Sequence, residues 1–156
     1  MKQQKSAPLV LICASLSVAG LALVANQTSA QTAAGEVNVP TGDVSLGIVE
    51  LPRRTMANGE TLASGTYELH VTATSAVPDA PGQLPVLERW VEFRQGSEVR
   101  GREVVSIVPP SEIDDVAKTA PPASGTSRVE MLRDNEYLRV WVNQSNTHYF
   151  IHLVAG

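Results

Sequence analysis

From Val44 to the C-terminus, apolar residues recur with a period of two, and no stretch carries the 3.6-residue period of a helix. Short runs of β-branched and aromatic residues alternate with Gly, Pro, Asn and Ser clusters, the punctuation of strands and turns. The pattern predicts an all-β domain of about seven antiparallel strands, built as a β-sandwich or a partly open barrel. In the clearest run, residues 66–74, Tyr67, Leu69, Val71 and Ala73 face one way, and Glu68, His70, Thr72 and Thr74 the other. Asn58-Gly59 supplies the positive φ angles of a tight hairpin. Pro52 marks an edge or a bend in the extended stretch 44–56. Further strands are expected over 86–94, 99–108 (with Gly101 at a bulge), 127–133, 136–142 and 147–154. One short helix is expected inside the irregular segment 109–125, opened by Ser111 as N-cap and stopped by Pro121-Pro122.

The N-terminus has a different character. Lys2 and Lys5 precede an uncharged apolar run from Leu9 to Ala25, and Thr28-Ser29-Ala30 offers small residues before Gln31. This is the layout of a secretory signal helix over residues 1–30, with cleavage between Ala30 and Gln31. The competing reading is an uncleaved anchor. The run is at the short limit for a spanning helix and is softened by Ser15, Ser17 and Gly20. Residues 31–43, rich in small residues, Gly and Pro, read as a flexible linker, leaving 44–156 as the folded domain.

Cleavage would remove Cys13, the sole cysteine, so the exported domain would hold together by its apolar core without a disulfide. That fits a bacterial periplasm or envelope better than an animal secretory pathway. It also excludes thiol catalysis and thiolate metal sites. Losing Lys2 and Lys5 makes the net charge of −4 two units more negative, which argues against nonspecific nucleic-acid binding. Membrane contact is expected only through the N-terminal segment if it stays uncleaved. No cofactor is expected.

The remaining chemistry is sparse. His148 and His152 have a zinc-like spacing for a helix, but on a strand they stand about 13 Å apart, so no metal site is expected. Glu88 and Glu92 are likewise about 13 Å apart along one strand, too far for the carboxylate pair of a glycosidase, although Glu103 could be nearer across the sheet. An aromatic constellation is the stronger candidate. An even-numbered loop at 143–146 places Trp141 opposite His148, Arg139 opposite Phe150 and Tyr137 opposite His152, all on one face. Trp90 is expected outward on its own strand with Glu88, Glu92 and Arg94. Trp90, Tyr137, Arg139, Trp141, His148 and His152 are therefore the candidate ligand-binding residues, suited to a sugar or a protein partner. The alternative, favoured by the usual burial of large aromatics, is that this face is a second apolar surface or lies beneath segment 109–125.

Leu62-Ala63-Ser64-Gly65-Thr66-Tyr67-Glu68-Leu69 resembles a strand-opening motif, L-x-A-G-x-Y-x-L, of secreted bacterial β-sandwich modules such as transthyretin-like and carboxypeptidase-regulatory-like domains, with Ser64 where Ala is usual. The C-terminal run Val140-Trp141-Val142 and His148 to Leu153 also resembles exported bacterial proteins. These resemblances imply a sandwich fold and an exported location, and they carry no active site. The combined expectation is a non-catalytic binding or structural β-domain of the cell envelope, with a protein or polysaccharide partner. The alternatives are a carbohydrate-binding module using the aromatic face, and a small hydrolase with an unrecognised site. A dimer through edge strands is possible.

Overall fold

A computed structural model describes residues 39–76 and 87–156 of the chain. The expected signal helix, its cleavage point at Ala30 and Gln31, most of the expected linker and most of the Pro-rich stretch 75–85 of the sequence lie outside the described residues. Among the described residues, one antiparallel sheet contains β1 (Val44–Leu51), β2 (Thr55–Ala57), β3 (Glu60–Leu62), β4 (Gly65–Ser75), β5 (Glu88–Gln95), β6 (Glu98–Val108), β7 (Thr126–Leu132), β8 (Tyr137–Gln144) and β9 (Thr147–Ala155). One helical turn, α1 (Ile113–Val116), follows a 3₁₀ turn at Pro110–Glu112. Neither start carries the side-chain cap expected from Ser111.

The strand pairing runs β1-β4-β5-β6-β9-β8-β7, and the β2–β3 hairpin attaches to β9 beyond the point where β6 leaves it. The sheet is not closed. Its edge strands β1 and β7 nevertheless lie against each other, and the Ser127 hydroxyl donates to the Ile48 carbonyl at 3.3 Å. The predicted stretch 44–56 is broken at Pro52, at the bend expected there, into β1 and β2. Asn58 and Gly59, at φ 45° and 84°, form the expected hairpin turn between β2 and β3.

One main core fills the inner face. Val49, Leu51, Tyr67, Leu69, Val71, Val91, Phe93, Val105, Ile107, Leu138, Val140, Ile151 and Leu153 all point into it. The alternation of β4 explains its share, since Tyr67, Leu69 and Val71 are buried while Glu68 is exposed. Tyr67 also spends its hydroxyl well, donating to the Ala63 carbonyl at 2.9 Å. Gly101 lies beside the expected bulge: Phe93 pairs with Gly101 but Arg94 with Val99, so Arg100 is the extra residue.

Gly101 is also where β6 meets the β2–β3 hairpin. A Cβ there would sit 3.0 Å from Leu62 Cδ2 and 3.3 Å from Glu60 Oε2. Leu62 is fully buried and has little room to yield. Gly101→Ala is therefore expected to cost about 1–3 kcal/mol through overpacking. A lower urea midpoint at unchanged m-value checks this, and an unchanged midpoint contradicts it.

Candidate functional site

The last hairpin decides what the outer face of the sheet presents. Ser145 and Asn146 both take positive φ, 51° and 63°, which makes a two-residue turn that matches strand twist. The loop is even-numbered, as expected, but it is two residues long and not four. The register therefore differs by two from the expected one: Trp141 opposes Phe150, Arg139 opposes His152, and Tyr137 opposes Val154. A shift of two keeps every side chain on its face, so Tyr137, Arg139, Trp141, His148, Phe150 and His152 still share the outer side.

They do not share an environment. Trp141 and His148 are not outward-facing ligand platforms; the Trp141 ring is 0% exposed and His148 is buried. Segment 109–125 crosses this half of the outer face and seals a second cluster of Val108, Ile113, Ala117, Trp141 and Phe150. Ala117 N–H bonds the Ile113 carbonyl at 2.9 Å, so the single turn of α1 drives Ile113 onto the rings. The segment is held down by side chains from the strands. Asn143 Nδ2 donates to the Pro122 carbonyl at 2.8 Å, and Arg128 Nη2 donates to the Ala120 carbonyl at 2.8 Å and to Thr119 Oγ1 at 2.9 Å. Beneath it, Trp141 Nε1–H donates to His148 Nδ1 at 3.2 Å, which requires an unprotonated acceptor nitrogen. Burial also pushes the His148 imidazole below its ordinary range.

The cover ends between Trp141 and Arg139. Up to Phe150, β9 is buried on both faces, whereas His152 and Val154 alternate outward into solvent. Three cross-strand rows thus succeed one another down the outer face. The covered row is Phe150, Trp141 and Arg128. Next comes a charged row of His152, Arg139 and Glu130. The third is apolar and open at its β2–β9 end, with Tyr137 and Leu132 half-buried: Met56 on β2 pairs with Val154, Val154 with Tyr137, and Tyr137 with Leu132 on β7. Met56 is 39% exposed and Val154 49%.

The charged row forms a hub. Glu130 accepts from Arg139 Nε at 2.9 Å and pairs with Arg128 Nη2 at 2.9 Å and with Arg139 Nη2. Burial alone would raise its carboxyl, but the bond and charge of Arg139, then Arg128 and Thr119, hold it below the usual carboxylate range. The same guanidinium groups close the open side of the aromatic cluster, with Arg128 4.9 Å from the Trp141 ring centre and Arg139 5.3 Å from that of Phe150. Loss of solvation and the charge of Arg139 both hold the His152 imidazole below its ordinary range. Because His152 is solvent-exposed, the facing guanidinium is the stronger physical reason.

Two shallow clefts open at this boundary. One, about 320 Å³, is lined by Leu132, Arg133, Tyr137 and His152, and the Arg133 guanidinium stands 5.5 Å over the Tyr137 ring. The other, about 400 Å³, includes Val116, Lys118, Glu130, Leu132 and Arg139. Leu132 lines both. Of the expected site residues, the fold brings Tyr137, Arg139 and His152 together here.

Trp90 stands elsewhere on the outer face, half-buried, with the Arg102 guanidinium 4.8 Å from its ring centre. The paired-carboxylate idea does not assemble. Glu88 is buried and accepts from Ser106 Oγ at 3.1 Å, and burial raises its carboxyl above the ordinary range despite that bond. Glu92 pairs with Arg94, and Glu103 turns to the Asn58 N–H at 2.6 Å. His70 pairs with Glu68 at 2.8 Å on β4, and among the described residues no three metal-ligating side chains gather.

Met56, Lys118, Leu132, Arg133 and Val154 were not legible as site residues, because each acquires its place through pairing or packing that the sequence alone does not show. A faint signal exists in Val154, which continues the outward parity of Phe150 and His152. Comparison with protein-family models, with curated proteins and with solved structures found no match for the chain.

Proposed function

We propose that this protein is an exported, non-catalytic β-domain of the cell envelope that works by binding another protein through the outer face of β2, β9, β8 and β7. The observation that carries this reading is the open row Met56, Val154, Tyr137 and Leu132, an apolar stripe in register across four strands beside a charged row. Contiguous exposed apolar surface rimmed by polar groups is a mark of interaction sites. The N-terminal segment supports export, and the contact of β1 with β7 around one inner core supports a partly open barrel over a sandwich.

A carbohydrate-binding reading is second, supported by Tyr137 in a cleft with Arg133 and His152. It is weaker because Trp141 is covered and Trp90 is stacked under Arg102, so no row of free flat rings exists among the described residues. Aliphatic Met56, Val154 and Leu132 suit a protein surface better than a sugar ring.

Met56→Lys with Val154→Lys tests the proposal, since both side chains are exposed and the pair should change stability by no more than about 0.5–1 kcal/mol. The wild-type chain should capture a specific partner from envelope extract, and the double variant should lose at least nine-tenths of it. Equal capture by both proteins would contradict this face. Retention on a polysaccharide panel, abolished by Tyr137→Ala, would favour the second reading.

A further inference from the structure

Resting on that protein-binding reading, we infer that the partner presents an acidic segment carrying aliphatic side chains, which lies along the open stripe with its carboxylates on Arg133 and Lys118. The charge of the site differs in sign from that of the chain. The protein has a net charge of −4, yet the two clefts flanking Leu132 are lined by Arg133, Lys118 and Arg139, with His152 beside them. Among the described residues, Glu130 is the one carboxylate lining either cleft, and it is already held by Arg128 and Arg139. No described carboxylate pairs with Arg133 or Lys118. The nearest acidic side chains in sequence to Arg133, those of Asp134 and Glu136, belong to the turn and are exposed.

The turn geometry aims this charge. Arg133, Asp134 and Asn135 take positive φ of 49°, 53° and 72°, reversing the chain so that Arg133 stands over Tyr137 at the cleft rim. A guanidinium on an aromatic face keeps its N–H edge for a further acceptor. On the other side of Leu132, Lys118 follows the end of α1 and lines the cleft with Val116, itself 45% exposed. Leu132, the β7 end of the apolar row, thus lies between two cationic rims. Successive aliphatic side chains of the segment would desolvate Leu132 and, further along the row, Val154 and Met56, and carboxylates at its β7 end would meet Arg133 and Lys118. Electrostatic complementarity of this kind speeds encounter and selects partners, and salt weakens it.

The test uses the full chain and two synthetic peptides, one alternating glutamate with leucine and its lysine–leucine counterpart. The acidic peptide should bind at least tenfold more tightly, shift the amide resonances of β7–β9, and weaken severalfold between low and physiological salt. Arg133→Glu with Lys118→Glu should reduce its affinity at least tenfold, with an unchanged unfolding midpoint showing that the fold survives. Absence of acidic-peptide binding, equal binding of the basic peptide, or binding to phosphatidylglycerol vesicles in place of peptide would overturn the inference. Partner capture separates the two readings. If Met56→Lys with Val154→Lys abolishes it but the charge reversal does not, the binding face stands and the acidic partner falls. If neither variant affects capture, both fall.

Discussion

Trp141→Ala is expected to lower the unfolding free energy by about 3–5 kcal/mol, the range for emptying a large aromatic site. Trp90→Ala should cost only about 1 kcal/mol, because that ring is half-buried and stacked on a single guanidinium. The difference comes from what covers each ring. Trp141 is 0% exposed, lies 4.9 Å centre to centre from Phe150, and forms the floor on which Ile113 and Ala117 rest. Its loss also strands the Nδ1 acceptor of buried His148. Segment 109–125 should then lift before the sheet unfolds, and limited proteolysis should cut it faster than in the wild type. Fluorescence gives an independent check: the Trp90→Ala protein, left with Trp141, should emit at shorter wavelength and resist iodide quenching. If instead the two tryptophan variants unfold at the same urea concentration, the second cluster does not carry the weight assigned to it.

The contrast between these two tryptophans shows what the sequence could and could not convey. Both sit at outward parity on their strands, and parity is legible because the side-chain period of a strand is two. Burial of an outward face is a different matter, since it depends on a distant segment returning to cover it. The stretch 109–125 looked irregular, with Pro121-Pro122 and one helical turn, and nothing local says that Ile113 will land on Trp141. Covering by that segment is nonetheless part of the alternative reading of the face, beside a second apolar surface. Strand positions were largely legible from turn chemistry, as at Asn58-Gly59 and Pro52. Register was not, because a two-residue and a four-residue loop at 143–146 keep the same parity. Least legible was the open stripe. Met56 joins Val154 only because β2 pairs with β9 after β6 has left it, a contact across most of the domain.

Glu130→Ala should cost about 1–3 kcal/mol at neutral pH, because it leaves two guanidinium groups against the aromatic cluster with no counter-charge between them. The pH dependence gives the sharper check. Glu130 has a folded pKa below its ordinary 4.5, so the unfolded chain binds its proton first. Its stabilisation is complete above that ordinary value and fades as pH falls through the lower, folded one. His148 acts earlier. Its folded pKa lies below 6.5, so the unfolded chain takes up a proton that the folded chain refuses, and stability declines from pH 6.5 downward. His152, also held low, adds to the same window. Glu88 runs the other way: its folded pKa is raised, so its cost grows as pH rises through 4.5 and is relieved in acid. Urea unfolding of the wild type should therefore weaken in two stages on acidification, one beginning near pH 6.5 and one below 4.5. Glu130→Ala should shrink the second stage and leave the first intact, while His148→Gln, which keeps an acceptor for the Trp141 N–H, should shrink the first and leave the second. A Glu130→Ala protein that loses stability below pH 4.5 as steeply as the wild type would show that the Arg128–Glu130–Arg139 hub does not hold this face together.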